Sequence, residues 1–145
     1  MTIFVTGAAG FIGSNFVLKW LESSDENLIA LDKLTYAGNL ENLKSIENNP
    51  CFHFIKGDIE NSQLLGDILK KFKPRSIINF AAEPHVDRSI DNADIFIQTN
   101  ILGTYRLLQE AKNFWNQLSN DLKNNFTFIH ISTDEVFGTL NLNDP

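Results

Sequence analysis

Thr133, Asp134 and Glu135 place a hydroxyl and two carboxylates in a row, just after an apolar run that ends at Ile131. Adjacent carboxylates push their pKa values apart, which favours one protonated and one ionised group, the pairing that general acid and general base catalysis needs. In isolation the same tripeptide reads more readily as a solvated cap after a strand, and its setting at a strand end beside a cofactor site reverses that. A second chemical feature is Thr6-Gly-Ala-Ala-Gly-Phe-Ile-Gly13, with glycines at 7, 10 and 13 between an apolar run and a helical pattern. Gly7 lets the chain turn sharply, Gly10 removes a Cβ where a backbone approaches a pyrophosphate, and Gly13 lets a helix pack close on a sheet. The pyrophosphate would rest on the helix N-terminus, on N–H groups that have no partner within the helix. Glycine triplets also occur in ordinary strand–helix turns, so the following acid matters. Asp32 closes the next apolar run, where a carboxylate accepts from the adenosine ribose hydroxyls and repels a 2′-phosphate. NAD is therefore favoured over NADP, and Lys33 beside the acid weakens that preference slightly.

Two further segments fall where a parallel sheet would present its strand ends. In Gly57-Asp58-Ile59, Asp58 is suited to accept from an adenine amino group, or alternatively to cap the helix that follows. In Phe80-Ala81-Ala82-Glu83, small residues let a cofactor lie against the backbone. Ligands of such sheets bind at the carboxyl ends of the strands.

The elements that must position these groups alternate along the chain. Residues 2–6, 27–31, 52–55, 76–80 and 126–131 are short apolar runs that predict buried strands. Residues 11–21, 63–72 and 91–118 carry helical spacing, the last with Ile97, Ile101, Leu108, Ala111 and Trp115 near one stripe, and Pro74 blocks the second from continuing. Residues 32–49 read as irregular, with Tyr36-Ala-Gly-Asn39 a turn or a ligand-contacting loop. The alternation predicts an α/β fold, a doubly wound parallel sheet of Rossmann type, as one domain over residues 1–145.

Composition is consistent with this. The 145 residues are 43% apolar and 21% charged, enough for one core, and the formal charge of −6 argues against general affinity for nucleic acid or an anionic membrane. Cys51 is the sole cysteine, so no internal disulfide forms and a cytoplasmic location is expected. The glycine-interrupted N-terminal run suits neither a signal peptide nor a spanning helix. No Cys/His spacing suggests a metal site, and His53 and His130, inside strand patterns, read as structural.

Thr6-Gly-x-x-Gly-Phe-Ile-Gly13, Asp32-Lys-Leu-Thr-Tyr-Ala-Gly-Asn-Leu40, Ala81-Ala-Glu-Pro-His-Val-Asp-Arg-Ser-Ile90 and Ser132-Thr-Asp-Glu-Val-Phe-Gly138 together resemble the dTDP-glucose 4,6-dehydratase family. These are extended short-chain dehydrogenases/reductases that act on nucleotide sugars. The resemblance implies oxidation of the sugar at C4, loss of water across C5 and C6, and reduction at C6, with NAD supplying both hydride transfers. It implies that Asp134 protonates the leaving C6 hydroxyl, Glu135 removes the C5 proton and Thr133 hydrogen-bonds the C4 hydroxyl. Sister enzymes that only epimerise C4 lack this acidic pair. It places Phe11 and Ile12 in the phosphate loop, Asp32, Lys33, Leu34 and Thr35 at the adenosine, and Asp58 and Ile59 at the adenine. Phe80, Ala81, Ala82, Glu83 and Pro84 would follow the nicotinamide half. Thr99 would join them, although its position in a helix pattern otherwise reads as packing. His85 is a candidate substrate neighbour, or an ordinary loop residue. A homodimer is implied for the complete enzyme, with the helix over residues 91–118 as a candidate pairing element.

The sequence departs from that family's pattern in two places. Pro84 stands where the family usually has a serine, so a hydroxyl and an N–H are lost, and Phe137 stands where tyrosine is common. Four residues beyond Tyr36 and Tyr105 stand Leu40 and Gln109, so neither tyrosine belongs to the Tyr-x-x-x-Lys pair with which the family starts C4 oxidation. The chain is therefore expected to be an N-terminal portion, lacking the substrate domain and exposing apolar surface that the domain would meet. A dehydratase for another nucleotide sugar and a non-catalytic NAD-binding module are the alternatives.

Overall fold

Runs of β-branched and aliphatic residues form five parallel strands in the computed structural model, which describes residues 1–85, 90, 92–133, 136 and 138. They are β1 (Thr2–Thr6), β2 (Asn27–Asp32), β3 (Phe52–Lys56), β4 (Ser76–Asn79) and β5 (Thr127–His130), in the spatial order β3-β2-β1-β4-β5. The register sets Val5 of β1 between Ala30 of β2 and Ile78 of β4. The chain moves outward from β1 to β3 and then crosses back to β4. This reversal opens a crevice between the loops that leave β1 and β4.

The period of two along each strand divides the core into two layers. Phe4, Ile29, Leu31 and Ile77 face one side and pack on α2 (Ser62–Phe72) through Leu65, Ile68 and Leu69. Ile3, Val5, Leu28, Ala30 and Ile78 face the other side and pack on Val17 of α1 (Phe11–Ser23). Fully burying each large aliphatic side chain contributes roughly 1.5–3 kcal/mol, so both faces of the sheet are fixed. The doubly wound expectation is met.

Three local expectations are corrected. Within residues 32–49, a 3-10 segment runs over Leu40–Ile46, started by Asn39, whose side chain accepts from the Glu41 N–H, and anchored by the buried Leu43. The helix expected over residues 91–118 is composite: α3 (Ala93–Phe96) passes into a π-helical stretch, Ile97–Gly103, and then into α4 (Thr104–Asn116). Asp91 lies outside the described residues. Gly103, Leu107 and Ala111 are buried, while Ile97, Ile101 and Leu108, on the expected apolar stripe, are exposed. A separate short helix, α5 (Asn120–Asn125), precedes β5. No helix among the described residues is long and apolar enough to cross a membrane.

The amino edge of the sheet is pinned by an ion pair. Arg75, just before β4, donates through Nε and Nη2 to the two carboxylate oxygens of Glu26, just before β2, at 2.9 and 3.0 Å. The Arg75 hydrogen bonds hold the Glu26 carboxyl below its ordinary value of 4.5, against the opposing effect of desolvation. A depressed carboxyl stabilises the fold above its unfolded pKa, and that contribution is lost as pH falls through the folded value. Glu26→Gln should therefore lower stability at pH 7 by about 0.5 kcal/mol, as expected for a partly solvated pair. In urea denaturation the difference from the parent should vanish below the folded pKa of Glu26.

Candidate functional site

The glycine loop is built by two close approaches. Gly7 turns out of β1 at φ 68°, and a Cβ there would lie 2.5 Å from the Ala81 backbone nitrogen. A Cβ on Gly13, in the first turn of α1, would meet the Gly7 carbonyl oxygen at 2.1 Å. Both glycines are explained by contacts inside the chain. Gly10 is different. It is the N-cap residue of α1, at φ −70° and ψ 170°, and a Cβ there would meet nothing nearer than 3.4 Å. It lines a cleft instead, and the first turn of α1 has neither a side-chain cap nor an acid to occupy its N–H groups.

That cleft runs across the carboxyl edge of the sheet. Asp32, Lys33 and Thr35 line it beyond β2, and Asp58 and Ile59 beyond β3. Phe80, Ala81, Ala82 and Glu83 line it beyond β4, and Thr99 reaches it from the π-helical stretch. Gly103 permits that approach, since a Cβ there would collide with Ile59 at 2.8 Å.

Asp32, 8% exposed, ties the cleft walls together: one carboxylate oxygen accepts from the Ala9 N–H of the glycine loop and the other from the Leu34 N–H, each at 2.8 Å. Each oxygen keeps a second acceptor position for a ligand hydroxyl. Leu34 adopts φ 57° and packs its side chain on the α1-side core rather than into the cleft. Lys33 Nζ lies 2.6 Å from Asp58 Oδ2. That hydrogen bond, with the charges of Asp58, Glu60 and Glu83, raises the Lys33 pKa against desolvation. Asp58 is not the helix cap: its other oxygen accepts from the Glu60 N–H at 3.0 Å, and Asn61 caps α2 by accepting from the Leu64 N–H.

Beneath the cleft, the buried Asn79 joins three strand ends. Its Oδ1 accepts from the Thr6 hydroxyl and, at 3.1 Å, from the Ala81 N–H. Its Nδ2 therefore faces His130 Nδ1 at 3.0 Å, which assigns the ring proton to Nε2. Above the floor, Tyr36 Oη donates to Glu83 Oε2 at 2.8 Å, joining the loop after β2 to the segment after β4. Asn100 holds the Glu83 backbone, accepting from its N–H at 2.8 Å and donating to its carbonyl at 3.1 Å. The Tyr36 ring also lies 5.5 Å from that of His85, an exposed loop residue.

An adjoining cleft continues past Glu83, and Pro84, Asn100, His130 and Thr133 are among the residues lining it. Thr133 thus opens on a cleft that shares the Ala81–Glu83 wall with the cleft of the glycine loop. Asp134, Glu135 and Phe137 lie outside the described residues. Phe11 and Ile12 sit at the start of α1 with exposed side chains. Sequence reasoning did not single out Ala37 and Gly38 individually, nor the Tyr36–Glu83 bond; the turn signal at Tyr36-Ala-Gly-Asn39 was the available clue.

A parallel sheet with this strand order, a glycine turn after β1 and a cleft at the switch point defines a doubly wound, Rossmann-type domain. The chain belongs to the GDP-mannose 4,6-dehydratase family, whose model matches residues 4–144. It is 48% identical over its whole length to a dTDP-glucose 4,6-dehydratase of Haemophilus influenzae, covering 43% of that protein. It is 51% identical to one of Escherichia coli, over 97% of this chain and 39% of the relative. The crystal structure of the dTDP-glucose 4,6-dehydratase of Bacillus anthracis in complex with NAD matches 99% of this chain and 41% of that one, at 41% identity and a TM-score of 0.81. The chain thus spans about two fifths of the length of these relatives.

The glycine geometry separates packing from ligand roles. Gly13→Ala should cost about 1–3 kcal/mol of stability by overpacking against Gly7. Gly10→Ala should cost less than about 1 kcal/mol, the scale of a helix-cap change. Thermal or urea unfolding of the two variants checks the order, and equal losses would contradict it.

Proposed function

We propose that this chain is the NAD-binding part of a nucleotide-sugar 4,6-dehydratase that converts dTDP-glucose to its 4-keto-6-deoxy product. The observation that carries the NAD reading is Gly10: its missing Cβ answers no contact in the chain, yet it faces a cleft that Asp32 closes on the other side. In this reading the N–H groups at the start of α1 hold the pyrophosphate, Asp32 accepts from the adenosine ribose, and Asp58 and Ile59 border the adenine. Phe80, Ala81 and Ala82 follow the nicotinamide half, with Thr99 opposite. When bound, NAD supplies the hydride acceptor and donor for C4 oxidation and C6 reduction.

The chain's own residues supply the elimination chemistry. Thr133 positions the C4 hydroxyl, Asp134 gives a proton to the departing C6 hydroxyl, and Glu135 takes the C5 proton. Pro84 offers the substrate a carbonyl where a serine would offer a hydroxyl, and His85 stands at the rim. The relatives named dTDP-glucose 4,6-dehydratase support the substrate assignment. The family description names a GDP-sugar instead, which makes another nucleotide sugar the second reading. The exposed Ile97, Ile101, Tyr105 and Leu108, spaced along one helical face, suit pairing with a second copy in a cytoplasmic homodimer.

The 145-residue polypeptide is expected to bind NAD and to give no 4-keto-6-deoxy product from dTDP-glucose, because it holds no Tyr-x-x-x-Lys pair. Gly10→Ala should weaken NAD binding by about tenfold or more, beyond its effect on stability. Unchanged affinity by calorimetry would remove the pyrophosphate assignment. In a longer protein carrying this segment and the pair, Asp134→Asn with Glu135→Gln should slow elimination more than C4 oxidation in single-turnover kinetics. Equal loss of both steps would contradict the acid and base roles, and turnover of GDP-mannose in preference to dTDP-glucose would favour the second reading.

A further inference from the structure

Lys33 is the only cation among the described residues that line the cleft. It directly follows Asp32, and in the NAD reading, on which this inference rests, Asp32 faces the adenosine ribose. A cation one residue beyond a ribose-binding acid is well placed to meet a 2′-phosphate, so taken alone it would open the site to NADP. Its actual partner is Asp58, 25 positions on and at the end of a neighbouring strand, at 2.6 Å. Asp58 is itself held, because its second oxygen accepts from the Glu60 N–H. Glu83 stands on the opposite wall and Glu60 beside Asp58, so the surroundings of Lys33 are acidic on both sides.

We propose that Asp58 is a specificity-determining residue: by engaging Lys33 it withdraws the cleft's cation from a 2′-phosphate and keeps the site selective for the dinucleotide that carries a 2′-hydroxyl. A 2′-phosphorylated cofactor has to break the Lys33–Asp58 pair and leaves an unpaired carboxylate beside a phosphate. The 2′-hydroxyl form leaves the pair intact and needs only the spare acceptor positions of Asp32. Selectivity then has two components, direct repulsion by Asp32 and the withdrawal of Lys33 by Asp58.

The test is a double-mutant cycle read as a ratio. Dissociation constants for NAD and NADP are measured by calorimetry at low ionic strength for the parent chain, Asp58→Asn, Lys33→Met and the double variant. Asp58→Asn keeps an oxygen for the Glu60 N–H and removes the charge that holds Lys33. Any loss of an adenine contact affects both cofactors and cancels in the ratio. The NADP-to-NAD affinity ratio should rise about fivefold in Asp58→Asn, the size of a partly exposed ion-pair interaction, and return to the parent value or below in the double variant. Asp58→Ser, which also retains an acceptor, should show the same rise and serves if Asp58→Asn misfolds. An unchanged ratio, or a rise that persists without Lys33, overturns the inference while leaving NAD binding intact. A parent chain that binds neither dinucleotide overturns the NAD reading itself.

Discussion

The carboxylate of Asp32 is the constraint from which the site follows. It is buried at the end of β2 and takes one N–H from the glycine loop and one from the turn after β2. Two segments leaving neighbouring strands are thereby fixed relative to one charged group. Without that group, the Ala9 and Leu34 N–H groups would lose their acceptors at the mouth of the cleft, and the loop would be left with the Ala8 N–H on the Leu31 carbonyl as its hold on β2 itself. A buried carboxylate is tolerable because it is hydrogen-bonded on both oxygens, and it is useful because each oxygen retains a second acceptor position facing the cleft. The same group thus serves the fold and the proposed cofactor.

A second layer of polar contacts extends this frame. Asn79 joins β1, β4 and β5 under the cleft floor, while Asn100 grips the Glu83 backbone from the helix side. Tyr36 then reaches from the β2 side to the Glu83 carboxylate. All three cross strand or segment boundaries that hydrophobic packing alone would leave free to shift. The apolar layers fix the sheet, and the polar contacts fix the spacing of its loops.

Much of this was legible in the residues. The strands could be read because parallel strands buried on both faces are continuous short apolar runs, and the glycine spacing with Asp32 located the cleft. The helix over residues 91–118 could not be read correctly. Part of it is π-helical, and the spacing of Ile97, Ile101 and Leu108 marks an apolar face without telling that this face is exposed rather than turned to the sheet. The Leu40–Ile46 segment was too short for periodicity to reveal, though Asn39 ahead of it was a capping signal. Lys33 and Asp58 were each singled out as cofactor contacts, yet their pairing depends on β2 and β3 lying side by side, which is tertiary information. The Tyr36–Glu83 bond, between residues 47 positions apart, is hidden for the same reason.

The central claim is that one dinucleotide lies along the carboxyl edge of this sheet, from Asp58 past the glycine loop to Ala82. Backbone amide shifts followed by nuclear magnetic resonance during titration with NAD test it most directly. The account predicts the largest changes at Gly10, Phe11, Ile12, Lys33, Ile59, Ala81 and Ala82, with the β5 and α1 residues Thr127, Ile129 and Lys19 little affected. Changes concentrated on those last residues, or none at the glycine loop at saturating NAD, would contradict it.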